Sequence, residues 1–105
     1  MIAVIPACRR EIDALPEAVR GDLADALARL EEGLMLSMPL SRPMPVIGRG
    51  VHELRLRDKA GVYRVIYWIR RRQDIYLIHA FTKKSRQTPT RAIEISRMRI
   101  QEVQR

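Results

Sequence analysis

The chain has little of several residue types that mark common functional classes. It contains one cysteine, Cys8, and two histidines, so an internal disulfide is excluded and a Cys/His zinc site is not expected. No apolar run approaches the roughly 18 residues of a membrane-spanning helix. In the opening segment MIAVIPACRRE the apolar residues precede the arginines and Pro6 interrupts them, which argues against a signal peptide. We therefore expect a cytoplasmic protein without a metal, another cofactor or a membrane partner.

Positive charge is abundant and is concentrated in the middle of the chain. The formal net charge is +8 and the isoelectric point is about 10.8. Residues 42–86 carry twelve Lys or Arg against three acids, whereas residues 1–41 have a net charge of −3 and residues 87–105 one of +2. A balance this basic favours a polyanionic partner such as nucleic acid, or an acidic protein that masks the charge.

The hydrophobic pattern predicts one α+β domain over residues 1–105. We predict a short edge strand at residues 2–5, a helical turn or short helix in REIDALP, and an amphipathic helix from residue 16 to about residue 34, where leucines recur at helical spacing. The segment SMPLSRPMPVIGRG is rich in proline and glycine, and it is predicted to be a loop.

Three predicted strands and a helix follow. VHELRLR alternates apolar and polar residues, VYRVIYWI is apolar on both faces as expected of a central strand, and IYLIHAF returns after a turn at residues 70–74. Thr88 and Pro89 are the predicted N-cap and first residue of a terminal helix. The expected architecture is a small antiparallel sheet of three to four strands, packed against N-terminal helices, with a C-terminal helix.

Arginines lie within two of these strands. If the leucines of VHELRLR face the helices, Glu53, Arg55 and Arg57 share the open face of the sheet. Arg64 lies within the apolar central strand, where a cation needs a partner. It pairs with a carboxylate such as Glu53 or Asp58, it reaches past the end of the strand, or it lines a concave surface that receives an anion. Arg55, Arg64, Lys83 and Lys84 at one side of the sheet would form a phosphate-sized cluster.

The run GVHELRLRDKAGVYRVIYWI, followed by IYLIHAFTKKSRQTP and an Arg-rich terminal helix, resembles the HigB/RelE-type toxins of type II toxin–antitoxin systems. The resemblance is greatest to the phage-derived branch of that RelE/ParE superfamily and covers essentially the whole chain. Its specific part is the combination of ELR, Gly-x-Tyr-Arg-x-x-Tyr, and Phe-x-Lys-Lys before Thr-Pro.

The resemblance implies a RelE-like fold, cleavage of mRNA on the translating ribosome with inhibition of translation, and a cognate helix-turn-helix antitoxin. It places Arg64 on the arginine that contacts the scissile phosphate, Arg55 near the basic residues of the preceding strand, and the two lysines on the basic positions that end the last strand. The expected catalytic residues are Arg64, Lys84, Arg55 and Glu53, and the expected RNA-binding residues are Lys83, Arg57, Arg86 and Arg49. Some relatives use a tyrosine or histidine near the C-terminus for proton transfer or base stacking, but neither follows Phe81 here.

RNA cleavage without a metal uses the ribose 2′-hydroxyl as nucleophile and requires charge stabilisation and two proton transfers. Three bases are candidates: Glu53 at the mouth of the sheet, His79, and a lysine desolvated by neighbouring cations. The phase that His79 shares with Leu77 and Phe81 favours a packed core histidine. If Phe81 packs inward, Lys84 rather than Lys83 shares the face of Arg64.

A second function class stays open at this point. The same scaffold could serve a non-catalytic interaction protein neutralised by an antitoxin, either a gyrase-poison-like protein or a nucleic-acid-binding module. Convergence of several cations on one spot favours the nuclease, because binding a protein does not require it. Trp68 could stack on a base, but core packing is the simpler explanation for it.

Overall fold

A computed structural model describes residues 1–71, 74–84 and 87–105 and shows a five-stranded mixed sheet with helices on both faces. The elements are β1 (Ile2–Val4), α1 (Pro6–Asp13), α2 (Glu17–Glu31), β2 (Ser41–Pro43), β3 (Val51–Arg57), β4 (Val62–Arg71), β5 (Asp74–Lys83) and α3 (Thr90–Gln104). The strand order is β1-β5-β4-β3-β2. β1 runs parallel to β5, and the other neighbours are antiparallel. The α+β class is confirmed, but the expected number of strands and the purely antiparallel sheet are wrong.

The additional strand comes from the segment that was predicted to be a loop. β2 pairs antiparallel with β3 and places Arg42 opposite Glu53. β2 is an edge strand and therefore tolerates Pro43. In a central strand, the missing N–H of a proline would remove a hydrogen bond of the sheet. An antiparallel meander does not lead to the parallel pairing of β1, because this pairing joins residues 2–4 to residues 75–77, far apart in sequence.

The helices differ from prediction at their ends. α2 is shorter than expected because Gly33, at φ 86°, ends it. The Gly33 amide donates to the Leu30 carbonyl at 3.0 Å and the Leu34 amide to the Arg29 carbonyl at 3.1 Å, which is a Schellman motif. α3 begins after Pro89, so Thr88 is not its N-cap.

Each face of the sheet has its own hydrophobic core. On one face Leu54, Val65 and Leu77 pack with α1 and α2. On the other, Ile66, Trp68 and Ile78 pack with apolar residues of α3. The central position of β4 and its apolar character on both faces are therefore confirmed. No helix in the described part of the chain is long and apolar enough to cross a membrane.

A β-bulge interrupts the pairing of β4 with β5. Ile66 lies opposite His79, whereas Tyr67 lies opposite Leu77, so Ile78 is an extra residue on β5. A bulge reverses the alternation of side chains that follows it. Leu77 therefore faces α1 and α2, while His79 and the alternate residues after it face the side of α3. The predicted turn between β4 and β5 includes residues 72–73, which lie outside the described residues.

Candidate active site

Three adjacent strands align basic side chains on one face, at one end of the sheet. Arg55 lies opposite Arg64, and Arg64 lies opposite Phe81. The next row places Arg57 and Lys83 on either side of Val62. Directly paired residues, and residues two apart along a strand, project from the same face. This face therefore carries a basic cluster, which comprises Arg55, Arg57, Arg64 and Lys83.

Lys83, and not Lys84, shares the face of Arg64. The prediction that Phe81 turns away from Arg64 is wrong, because the bulge at Ile78 reverses the alternation expected from Leu77. Lys83 is 9% exposed, whereas Lys84 follows the strand and is exposed. The structure thus brings three predicted arginines and Lys83 together and leaves Lys84 at the margin.

Arg64 satisfies two of the three alternatives considered for it, pairing with a carboxylate and lining a concave surface. It is 5% exposed, its Nε lies 3.4 Å from Glu53 Oε1, and its Nη1 donates to the Tyr63 carbonyl at 3.0 Å. It also lines an open cavity of about 460 Å³ together with Arg55 and Arg57. Burial lowers the pKa of Arg64, with Glu53 opposing that change and the charges of Arg55 and Arg42 adding to it.

Glu53 is not at the mouth of the sheet, as predicted, but is fully buried. Its Oε2 accepts a hydrogen bond from Thr88 Oγ1 at 2.5 Å. Its Oε1 lies 3.4 Å from Arg42 Nη2 and 3.4 Å from Arg64 Nε. These groups enclose the carboxylate, so the expectation that Glu53 is accessible at the mouth of the sheet is wrong.

Arg42 and Thr88 were missed as residues of this site. Arg42 falls in the predicted loop, and Thr88 was interpreted as a helix cap. The available signal for Arg42 was its position as the single cation among residues 34–48 of a proline-rich stretch. Thr88 carried no comparable signal, because Thr-Pro is also typical of a helix start.

Lys83 lies in an unusual environment for a lysine. Burial lowers its pKa, the charge of Arg64 lowers it further, Glu53 opposes this, and Arg55 and Arg42 add to the decrease. A lysine in this setting has a larger neutral fraction near neutral pH than an ordinary surface lysine.

The cavity has apolar as well as basic walls. Its remaining lining consists of Pro39, Leu40, Leu56 and Val62. A neighbouring cavity of about 330 Å³ lies between Arg55, Arg57 and α2, where Asp22 and Asp25 border it. The aspartates place negative charge on the α2 side, so a phosphate is favoured on the Arg64 side. In the described ranges no three His, Cys, Asp or Glu side chains gather as they would around a metal ion.

The other predicted residues lie elsewhere. Arg49 borders a separate cavity of about 510 Å³ with Trp68, Arg70 and Arg97, and Arg86 lies outside the described residues. Trp68 is 6% exposed within the α3-side core, which agrees with core packing.

His79 is a packed residue, as expected. It is 6% exposed, and its Nδ1 lies 2.9 Å from Glu11 Oε1. Arg99 donates to both oxygens of Glu11, at 2.8 and 3.0 Å. Burial lowers the pKa of His79, although Glu11 opposes this. These contacts tie α1, β5 and α3 together and leave the histidine away from the basic cluster.

Comparisons with known proteins agree with this architecture. The family described as phage derived protein Gp49-like matches residues 10–101. No curated protein matches the chain. The isolated E. coli RelE toxin, known from a crystal structure in its P21 form, superimposes with a TM-score of 0.57 at 15% sequence identity, over 93% of this chain and 97% of that chain. The chain therefore belongs to the phage-derived Gp49-like family and has the RelE-like fold.

Proposed function

We propose that this protein is the toxin of a type II toxin–antitoxin system and a metal-independent endoribonuclease that cleaves mRNA on the ribosome and so inhibits translation. Family membership and the RelE-like fold support the toxin role. The observation that carries the nuclease is the basic cluster, where Arg55, Arg57 and Arg64 line one cavity and Lys83 lies beside it. The proposed inhibitor is a cognate helix-turn-helix antitoxin.

The cluster suits cleavage by the RNA's own 2′-hydroxyl. Neutral Lys83 accepts the 2′-hydroxyl proton, the 2′-oxygen attacks phosphorus, and the 5′-oxygen leaves with a proton taken from water. The product strand then carries a 2′,3′-cyclic phosphate. Arg64 and Arg55 stabilise the additional negative charge on the phosphoryl oxygens, where preorganised cations are most effective. The lowered pKa of Lys83 supports its role as the base.

The exposed cations have a binding role in this proposal. Arg57, at the rim of the cavity, and Lys84, after the end of β5, are exposed and contact phosphates flanking the cleavage site. Arg49 contacts RNA further along the molecule, and Arg86 remains a proposed RNA contact from the sequence. Losing such a contact weakens RNA binding and reduces the salt dependence by about one unit of slope per phosphate.

Expression of the chain without its antitoxin tests the toxin role, and growth should stop with reduced protein synthesis. Single-turnover cleavage on mRNA-programmed ribosomes tests the nuclease. Lys83→Ala should lower the rate at saturating ribosomes by about 10²-fold or more, whereas Lys84→Ala should change chiefly the affinity. Normal growth with soluble protein at full induction contradicts the toxin role, and equal affinity losses for both variants contradict Lys83 as the base.

One observation favours a non-catalytic alternative. Arg64 is nearly buried and already paired with Glu53, which is the arrangement expected if this arginine is structural. In that case the basic cluster binds nucleic acid, or the protein inhibits a target such as gyrase by binding, and an antitoxin neutralises it. The cleavage assay separates the two classes, because tight RNA binding without any cleaved product supports the alternative.

A further inference from the structure

We propose that Glu53 and Thr88 form a positioning pair that holds the Arg64 guanidinium and the start of α3, which follows Thr88 and Pro89, in place around bound RNA. This inference rests on the proposed RNA cleavage and concerns how the site is organised. It assigns Glu53 a role that differs from proton transfer, and it gives a role to Thr88, which does not line the cavity.

The geometry joins separate elements at one carboxylate. Glu53 lies on β3 and contacts Arg42 on β2, Arg64 on β4, and Thr88 directly before α3. Its contact with Thr88, at 2.5 Å, is shorter than its two 3.4 Å approaches to the arginines. Hydrogen bonds to an ionised oxygen are short and strong. Because Glu53 is fully buried, water does not compete for these contacts.

The same contacts determine which guanidinium nitrogens of Arg64 can contact a phosphate. Glu53 holds its Nε side and the Tyr63 carbonyl accepts one N–H of Nη1, so Nη2 and the second N–H of Nη1 are the groups that face a phosphate. Arg64 Nε is buried, and within the described residues it has no hydrogen-bond partner. The 3.4 Å approach to Glu53 is therefore an ion pair and not a hydrogen bond. Since charge holds the guanidinium there, removing the charge of Glu53 should release it.

Glu53 also balances the basic cluster. Among the described residues, the charged groups that act on Lys83 are Arg64 on β4, Glu53 and Arg55 on β3, and Arg42 on β2. Glu53 is the one carboxylate among them, and it opposes the effect of the three arginines. Glu53→Gln should therefore lower the pKa of Lys83 further. Thr88→Val removes the hydrogen bond and leaves that charge in place.

The experiment compares Thr88→Val, Thr88→Ser and Glu53→Gln with a matched control, Thr82→Val, at an exposed position of β5. Single-turnover cleavage on programmed ribosomes is measured across pH, and the Lys83 pKa is measured by NMR of lysine-labelled protein. Thr88→Val should lower the saturating rate by about 10²-fold, the effect expected of a misplaced catalytic group. Thr88→Ser and Thr82→Val should stay near wild type. Glu53→Gln should retain measurable cleavage, with the rising limb of its pH profile moved to lower pH.

Two results overturn the positioning pair. One is equal rates for Thr88→Val and Thr82→Val. The other is loss of all cleavage in Glu53→Gln at every pH with an unchanged Lys83 pKa, which identifies Glu53 as the base. If the wild-type protein does not cleave RNA, the proposed function fails. The NMR comparison still decides the charge role of Glu53, because it requires folded protein but no activity. If Glu53→Gln does not fold, the three threonine variants decide the proposal.

Discussion

Replacing Arg64 with methionine should separate its structural role from its chemical role. The side chain is 5% exposed, and its Nε lies 3.4 Å from the fully buried Glu53. Removing one member of a buried ion pair costs roughly 3–5 kcal/mol, because the other charge is left unpaired. We expect a loss of about 3 kcal/mol, at the low end of that range, because Arg42 and Thr88 continue to contact the carboxylate.

The double variant Glu53→Gln/Arg64→Met should recover most of that loss. Replacing both members of a buried pair is often close to neutral, so the double variant should be about 2 kcal/mol more stable than Arg64→Met. The coupling energy of the pair follows when Glu53→Gln is also measured alone. Urea unfolding followed by the fluorescence of the buried Trp68 measures it. With an m-value of about 1.5 kcal/mol/M, a loss of 3 kcal/mol moves the midpoint by about 2 M. Arg55→Met is the control and should change the unfolding free energy by about 0.5 kcal/mol or less, since Arg55 is only half-buried.

Cleavage by the double variant then gives the second result. The double variant should be folded but inactive, because the positive charge of Arg64 no longer stabilises the reacting phosphate. Additive effects, with a coupling energy below about 0.5 kcal/mol, would refute the ion pair as an energetic unit. Cleavage at the wild-type rate by the stable double variant would show that Arg64 is a structural cation.

Two further predictions concern stability. Burial lowers the pKa of His79 below its ordinary 6.5. As the pH falls below about 6.5, the unfolded chain therefore binds more protons than the folded protein, and the unfolding free energy should decrease. His79→Asn should reduce this pH dependence of the unfolding free energy, measured by urea titrations at several pH values, and an unchanged dependence would contradict the prediction. His52, whose pKa burial also lowers, should account for part of what remains. Gly50→Ala should destabilise the protein by about 2 kcal/mol, because Gly50 has φ +75° and an added Cβ would lie 2.6 Å from the Ile69 carbonyl oxygen. Gly21→Ala in α2, with nothing within 4 Å of the added Cβ, should instead stabilise it by about 0.5–1 kcal/mol, and similar effects at both glycines would argue against a strained turn at Gly50.

Local patterns in the sequence predicted the parts of the fold that depend on a single strand or helix. The alternation around Leu54 and Leu56 correctly indicated which face of β3 meets α2, and the unbroken apolar run around Arg64 indicated a central strand. The common face of Arg55 and Arg57 followed from the same alternation. These features require only the two-residue period of a strand, whereas the position of Arg64 beside Arg55 and Arg57 depends on the pairing of β3 with β4.

What could not be predicted depends on pairing between strands. The bulge at Ile78 arises from the registers of β4 and β5 on either side of it, and nothing in IYLIHAF distinguishes it from a regular strand. It exchanged the positions expected for Lys83 and Lys84. The burial of Glu53 likewise depends on Arg42 from a short edge strand and on Thr88 from a distant turn. Such contacts follow from tertiary structure and leave no periodic signal.

The parallel pairing of β1 with β5 has a consequence for synthesis of the protein. Ile2 lies opposite Ile75, so β1, the first strand to be synthesised, cannot pair until β5, the last strand, has been synthesised. Such non-local pairing makes folding slow, because the loop-closure entropy is lost before the contacts form. A nascent chain that ends before residue 74 lacks β5, and with it Lys83 and the partner of one edge of β4. Incomplete translation products therefore lack the assembled basic cluster and, with it, the proposed RNA cleavage, which requires chains whose synthesis has passed β5.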